Sequence, residues 1–327
     1  MHKGLSGFVA GAALAALAAF AVDSAAARTY VIGTSPQGSL AFATGNALSK
    51  VLDAKAGLTV RTRATGGSST VVPQINQGQI DFGLSNALET GQGYLGAGPF
   101  DGRPQKNLRV ASTLYPLQTT FAVAGDSKIR TLADARGMRI PTRFTSQTTF
   151  AILTDALLAS AGLKVSEFES VPVSNYIKGG NLLAEGKVDL AIIAPGSGAS
   201  RKQDADLRNH GGIRFLSVGK DLDAMRKFFP EAYPRTLKAD KSIPGLKSDA
   251  TIMAYPFYVV TGKHVPDDVI YKIVKTMHEN KDELVKAFAS FRNFDPNDQA
   301  HLHSSVPFHP GAIRFYKEIG IWKGPKS

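Results

Sequence analysis

Short clusters of hydroxyl-bearing and glycine residues are the parts of this sequence best suited to binding a small ligand. They are Ser35, Gln37 and Ser39 in the first cluster, Thr65, Gly66, Gly67 and Ser68 in the second, and Thr145, Ser146, Gln147 and Thr148 in the third. Each cluster stands before a run with helical spacing, where free backbone N–H groups and the helix dipole favour an anion. A plain turn with a good N-cap is the alternative for any one cluster, because none is a dinucleotide fingerprint or a P-loop. Taken together, the clusters favour a binding site.

Arg143 lies directly before the third cluster. Its guanidinium could pair with a ligand carboxylate through two parallel hydrogen bonds, and the alternative is a solvated or domain-bridging arginine. Phe42, Tyr94 and Tyr176 are candidates for a pocket wall, although aromatic residues at helical spacing are more often part of a core. These residues suggest a small organic anion, such as a carboxylate, as the ligand.

The remaining polar residues give little support to catalytic or metal chemistry. The chain has no cysteine, which excludes a thiol nucleophile, a disulfide and a cysteine-based zinc site. Ser197 lies in a stretch that does not complete the G-x-S-x-G pattern of a nucleophile elbow. His301, His303 and His309 suggest a metal only weakly, because no carboxylate-rich ligand set accompanies them. We therefore expect no enzyme activity, no metal and no cofactor.

The N-terminal residues 1–27 have the pattern of a secretory signal peptide. His2 and Lys3 precede an apolar stretch, and Ala25 and Ala27 form an A-x-A cleavage site. We expect a mature protein that begins near Arg28, lies in the periplasm without a lipid anchor, and does not span the membrane. The formal net charge of +11 is spread without a nucleic-acid-type block of Lys and Arg, so we expect no nucleic-acid partner.

The chain repeats one short phrase, which indicates two related halves. Residues Gln77–Ser85 and Glu185–Ile193 both have Gly at the second position, Asp at the fifth and an apolar run after it. Gly suits the end of a helix, and the apolar run after Asp is typical of a buried parallel strand. Two α/β halves with hydroxyl-rich loops at their strand ends would enclose a cleft, where small ligands commonly bind.

The order of predicted elements places these loops and divides the chain. Strands are predicted at Tyr30–Gly33, Leu58–Ala64, Ile80–Leu84 and Val188–Ile193, and helices at Ala41–Leu52, Val71–Gln77, Phe150–Ala161 and Tyr176–Ala184. The second half is inserted in the first, with crossings near Tyr115–Thr120 and Tyr255–Pro256. We expect domain I at 28–118 plus 256–327 and domain II at 119–255.

The mature sequence resembles the TAXI family of extracytoplasmic solute-binding proteins, which are the receptors of TRAP transporters. The resemblance is carried by Ile32–Leu48, Ala64–Ser68, Gln77–Asn86, Glu185–Leu190, Val259–Asp268 and Phe308–Tyr316. It implies a type II periplasmic-binding-protein fold, in which two α/β domains with parallel-rich sheets close on a ligand. The implied ligand loops are Ser35–Ser39, Thr65–Ser68, Ser85 to Ala87 through Asn86, Thr145–Thr148, and Ala194 to Gly196 through Pro195.

The resemblance also implies the partners of the protein. It implies capture of a small organic carboxylate and its delivery to the membrane subunits of a TRAP transporter. The first helix begins Ala41-Phe42-Ala43 where the family has tyrosines, so we expect a bulkier or less polar carboxylate. The alternatives are an ABC-type or sensory binding protein of the same fold, and a periplasmic enzyme on that fold.

Overall fold

The computed structural model describes residues 28–301 and 306–324, which form a mixed α/β fold. The strands are β1 Tyr30–Thr34, β2 Val60–Ala64, β3 Phe82–Asn86, β4 Leu108–Thr113, β5 Leu117–Ala124, β6 Arg139–Thr142, β7 Glu169–Pro172, β8 Ala191–Ile193, β9 Ile213–Phe215, β10 Tyr233–Leu237, β11 Ala250–Tyr255 and β12 Phe257–Gly262. The helices are α1 Leu40–Ala56, α2 Ser68–Asn76, α3 Ala87–Leu95, α4 Thr149–Ala159, α5 Tyr176–Ala184, α6 Gly198–Asp206, α7 Leu222–Phe228, α8 Asp267–Glu279, α9 Lys281–Ala287 and α10 Pro310–Glu318.

The strands form two main sheets, one in each domain. The first sheet has the order β2-β1-β3-β12-β4, and the second has the order β10-β11-β5-β8 with β9 also paired to β5. β1 runs parallel to β2 and β3, whereas β12 runs antiparallel to β3 and β4. The expected two-domain α/β fold is therefore confirmed, with helices flanking mixed sheets.

One detail of the second sheet differs from the sequence-based expectation. The strand after the repeated phrase was expected to be parallel, but β8 pairs antiparallel with β5, with Thr120 opposite Ile193. The reason is that β5 and β11 connect the domains and form the centre of this sheet, where all their pairings are antiparallel. Parallel pairing in this half is found between β6 and β7.

The chain crosses between the sheets at two short connections. Leu114–Pro116 joins β4 to β5, and Pro256 alone joins β11 to β12. Connections this short hold the two sheets side by side while leaving a hinge between them. The expected boundaries at 118/119 and 255/256 lie beside these crossings, and we keep them as proposed domain limits.

The repeated phrase forms the same contact in both halves. In each, an aspartate carboxylate accepts a hydrogen bond from a backbone N–H near the start of another strand, and we call this contact an aspartate bracket. The carboxylate of Asp81 accepts a hydrogen bond of 2.9 Å from the Val31 backbone N–H at the start of β1. The carboxylate of Asp189 accepts one of 2.8 Å from the Arg139 N–H at the start of β6. Each aspartate also forms an ion pair, at 2.6 Å with Arg28 and at 2.7 Å with Arg139. The sequence repeat is therefore a structural repeat that fixes one strand end in each domain.

Capping residues set the ends of the helices that lead to the cleft. The Ser39 hydroxyl accepts a hydrogen bond from the Phe42 N–H and begins α1, and Gly57, with a φ of 63°, ends that helix. Leu48, Val51 and Leu52 lie on the buried face of α1 and join the core of domain I. The expected helix Tyr176–Ala184 is confirmed as α5. Three helices, α3, α6 and α7, were not expected.

Two sequence-based expectations lie outside the described residues, namely the signal peptide at 1–27 and the role of His303. Within 28–301 and 306–324, no helix is both long enough and apolar enough to cross a membrane.

We predict that Asp189→Asn destabilises domain II by about 1–2 kcal/mol at neutral pH, because it removes a charge-assisted pair that is partly exposed. The Arg139 hydrogen bond lowers the pKa of Asp189. A lowered native pKa contributes stability above the unfolded pKa, and this contribution is lost as the pH falls through the native pKa. The measurement is urea unfolding between pH 7 and pH 3.

The control is Asp223→Asn, whose side chain is 93% exposed and which we expect to change stability by less than about 0.5 kcal/mol. The bracket would have no energetic role if Asp189→Asn and Asp223→Asn unfolded alike at pH 7. A difference that stayed constant down to pH 3 would contradict its electrostatic origin.

Candidate functional site

A small cavity of about 60 Å³ lies between the two sheets. Its polar lining residues are Ser35, Ser39, Ser68, Asn86 and Glu89 from domain I, and Gln118, Thr119, Gln147 and Thr149 from β5 and domain II. Its aromatic lining residues are Phe150, Tyr176, Tyr255 and Phe257. Both domains contribute walls, so the cavity exists as an enclosed space only when the domains are close together.

The domain I wall is built at the carboxyl ends of parallel strands. Ser39 follows β1 and caps α1, while Asn86 ends β3 and caps α3, accepting a hydrogen bond of 2.9 Å from the Glu89 N–H. Strand ends that lead directly into helices form the usual binding edge of an α/β sheet. The topology therefore brings residues distant in sequence to one wall.

Glu89 is a buried carboxylate in this wall, with 3% of its surface exposed. One of its oxygens accepts a hydrogen bond from the Ser69 hydroxyl, and the other accepts one of 2.8 Å from the Asn86 side-chain amide. Among the described residues that line the cavity, Glu89 carries the only charged side chain. The cavity is therefore acidic in its described lining.

The domain II wall begins at α4. Gln147 precedes the helix, and its amide oxygen accepts a hydrogen bond of 3.2 Å from the Tyr176 N–H. Thr149, the first residue of α4, is 2% exposed, and its buried hydroxyl oxygen has no hydrogen-bond partner. An unpaired buried hydroxyl costs free energy, so a ligand that reached Thr149 would satisfy a group the protein leaves open.

Aromatic rings make the rest of the cavity apolar. The rings of Phe150 and Tyr176 are stacked with centroids 4.6 Å apart and planes 5° apart. Burial raises the pKa of Tyr176. Burial, with Tyr176 and Glu89 nearby, also raises the pKa of Tyr255. Both phenols therefore stay neutral at physiological pH and can still form hydrogen bonds.

Direct contacts join the domains around the cavity. The Ala199 N–H donates a hydrogen bond of 3.0 Å to the Gly38 carbonyl oxygen, and the hydroxyl oxygens of Ser69 and Thr148 lie 3.2 Å apart. A Cβ on Gly66 would lie 3.0 Å from the Ser146 carbonyl oxygen. The structure is thus a closed form of the two domains.

The structure brings only some of the sequence-predicted site residues to the cavity. Ser35, Ser39, Ser68, Asn86, Gln147, Tyr176 and Ala194 line it. Gly66, Gly67, Ser146 and Thr148 lie at the contact between the domains. Their functional assignment remains a prediction.

The other predicted residues lie away from the cavity lining. Gln37 and Thr145 are exposed, as is Arg143, which has a φ of 63°. Thr65 donates its hydroxyl to the Thr34 carbonyl, and Ser85 accepts from the Thr90 hydroxyl in the interior. The remaining predicted residues are Phe42, Ala87, Tyr94, Pro195 and Gly196, which are buried or half-buried outside the lining.

Sequence reasoning missed Glu89, Thr149, Phe150, Tyr255 and Phe257. For Glu89 a signal existed, because Asn86 followed three residues later by an acid resembles a capping box that starts a helix. For the aromatic residues no local signal existed, because Phe150, Tyr255 and Phe257 come to line one cavity only through the tertiary fold. The described residues contain no group of His, Asp and Glu arranged to hold a metal.

The chain is similar to known proteins over most of its length. The model of the NMT1-like family matches residues 32–320. Among solved structures, PhnD1 from Prochlorococcus marinus in complex with methylphosphonate is similar with a TM-score of 0.55 and 11% identity, covering 90% of this chain and 98% of that chain. The periplasmic aliphatic sulphonate binding protein SsuA from Escherichia coli has a TM-score of 0.45 and 15% identity, covering 82% of this chain and 84% of that one.

Fold and cleft together define a protein with the periplasmic-binding-protein fold. By the match to residues 32–320, the chain belongs to the NMT1-like family. SsuA is a periplasmic binding protein, and PhnD1 holds methylphosphonate. At such low identity they show the fold and do not identify a ligand for this chain.

We predict that Gly66→Ala shifts the protein from the closed to the open form. The added Cβ would meet the Ser146 carbonyl at 3.0 Å across the cleft and the Thr70 hydroxyl at 2.9 Å within domain I. Crowding of this kind costs about 1 kcal/mol or more, which is about a fivefold loss of apparent ligand affinity. Small-angle scattering should show a larger radius of gyration.

Thr70→Ala is the matched control, because it removes the contact within domain I and leaves the contact across the cleft. We expect Thr70→Ala to stay closed and the double variant to stay open. If the double variant closed normally, the contact with Ser146 would not limit closure.

Proposed function

We propose that this chain is a periplasmic solute-binding receptor that captures a small organic molecule between its domains and presents it to a membrane transporter. The observation that carries the proposal is the cavity between the domains, which both domains line and beside which they meet in contacts such as Gly38–Ala199. A two-domain protein that encloses a solute can signal occupancy by its shape. No covalent chemistry is needed for this role.

The proposed binding residues are those that line the cavity, namely Ser35, Ser39, Ser68, Asn86 and Gln147, with Gly66, Gly67, Ser146 and Thr148 acting in closure. We do not extend the proposal to a simple carboxylate. Arg143, the arginine predicted to pair with a carboxylate, is exposed and lies outside the lining. The described lining contains no cationic side chain.

The proposed partner is a membrane transporter, of either the ABC or the TRAP class. The TAXI resemblance suggests a TRAP transporter. The NMT1-like match and the likeness to PhnD1 carry no feature particular to TRAP receptors. We therefore place an ABC-type importer first and a TRAP transporter second. Neighbouring genes for an ATPase, for TRAP membrane subunits or for a sensor kinase separate these possibilities.

We expect a small molecule to be released when the purified protein is denatured, and mass spectrometry would identify it. When it is added back, the melting temperature should rise with its concentration, because it binds only the folded state. The same solute should shorten the distance between spin labels on Lys50→Cys and Arg208→Cys, which lie in different domains. The sequence has no native cysteine, so these labels are specific.

The Asp101→Cys and Lys50→Cys pair, with both labels in domain I, is the control and should not respond. Turnover of the recovered solute would instead favour the enzyme alternative. A protein that released no solute, and in which no solute from a metabolite panel changed the distance, would not be a receptor.

A further inference from the structure

Glu89 is an unusual group for a cleft expected to hold an anion. It is 3% exposed, lines the cavity, and forms no salt bridge with the described residues. A buried carboxylate without a cation is costly, and proteins usually pair such a charge or bind a ligand with it. The structure supplies no partner of opposite charge in the described lining.

Both carboxylate oxygens of Glu89 accept hydrogen bonds within domain I. The Asn86 amide nitrogen is an obligate donor, and it lies 2.8 Å from one carboxylate oxygen. The Ser69 hydroxyl donates to the other oxygen. These two donors leave further lone pairs free, since a carboxylate offers about four.

The surroundings of Glu89 suit a cation better than an anion. Phe150, Tyr176, Tyr255 and Phe257 present aromatic rings to the same cavity. Aromatic faces attract ammonium groups by about 0.5–2 kcal/mol. Thr149 adds a second, independent feature, because its buried hydroxyl oxygen has no partner and can accept a hydrogen bond from a ligand N–H.

The positive ends of the helices do not reverse this preference. The Ser39, Asn86 and Ser197 side chains already accept hydrogen bonds from the first-turn N–H groups of α1, α3 and α6. The helices α2 and α4, which begin at Ser68 and Thr149 in the lining, have no such side-chain cap. In α3 the charge of Glu89 also lies in the first turn, where it offsets the helix dipole. An anion in the cavity would therefore face the full negative charge of Glu89, whereas the uncapped N-termini of α2 and α4 each offer only about half a positive charge.

We propose that the solute is a small organic amine or ammonium compound whose positively charged nitrogen pairs with Glu89 in the closed cleft. This inference rests on the proposed receptor function and specifies its ligand class. The cation neutralises Glu89, the aromatic rings surround its carbon atoms, and Thr149 accepts one N–H from the opposite domain.

The test compares probes of one carbon skeleton that differ in charge, namely butylamine, 1-butanol and butyrate, by ligand-observed NMR titration at pH 7. We expect butylamine to bind the wild-type protein at least about tenfold more tightly than either of the others. Glu89→Gln should reduce butylamine binding about tenfold, as expected for loss of a buried hydrogen bond to a charged group. It should leave 1-butanol binding within about twofold.

Glu169→Gln, at an exposed position in β7, is the matched control and should behave as the wild type. The wild-type comparison needs no variant and so remains decisive if Glu89→Gln folds poorly. Butyrate binding as tightly as butylamine would overturn the inference. Unchanged butylamine binding in a folded Glu89→Gln protein would do so too, because Glu89 would then only support Ser69 and Asn86.

The solute recovered from the purified protein separates this inference from the function it rests on. A recovered solute without a cationic nitrogen, which nevertheless closes the domains, would overturn the amine inference and leave the receptor function standing. A protein that neither releases a solute nor closes with any probe would overturn both.

Discussion

The aspartate brackets hold the architecture on which the cleft depends. Asp81 ties the start of β3 to Val31 in β1, and Asp189 ties the start of β8 to Arg139 in β6. In domain I β1 pairs with β3, so the contact at one end of this pair also sets the register at its other end, whereas β6 and β8 belong to different sheets. In domain I that other end carries Asn86, which both finishes β3 and begins α3. A local carboxylate–backbone contact thus determines where the cavity wall forms.

Ser69 contacts both the Glu89 carboxylate in domain I and the Thr148 hydroxyl in domain II. Its hydroxyl donates to Glu89, so in its contact with Thr148 it must accept the hydrogen bond. This fixed direction links the domain II hydroxyl to a domain I carboxylate through one intermediate side chain. Any change in the charge of Glu89 therefore alters the strength of a contact between the domains, without a conformational change in between.

The sequence allowed the fold class and the repeat to be predicted, because both depend on local patterns. Apolar spacing marked α1 and α5, and the Gly and Asp of the repeated phrase marked both brackets. The site was only partly predictable. Hydroxyl clusters led to Ser39 and Gln147, but an acid in the cavity cannot be seen from composition, and the position of Arg143 outside it depends on tertiary structure. Pairing of β8 also depended on β5, which arrives from the other domain.

The unsatisfied groups of the cavity explain how a ligand could control closure. In an open cleft, water can solvate Glu89 and the Thr149 hydroxyl, but closure removes that water and leaves both without a full set of partners. Each such loss costs about 1–3 kcal/mol, which opposes closure of the empty protein. A ligand that supplies the missing donors removes this cost, and its charge interaction strengthens as water leaves. Closure then depends on the ligand because the protein alone cannot complete the hydrogen bonds of its own cleft.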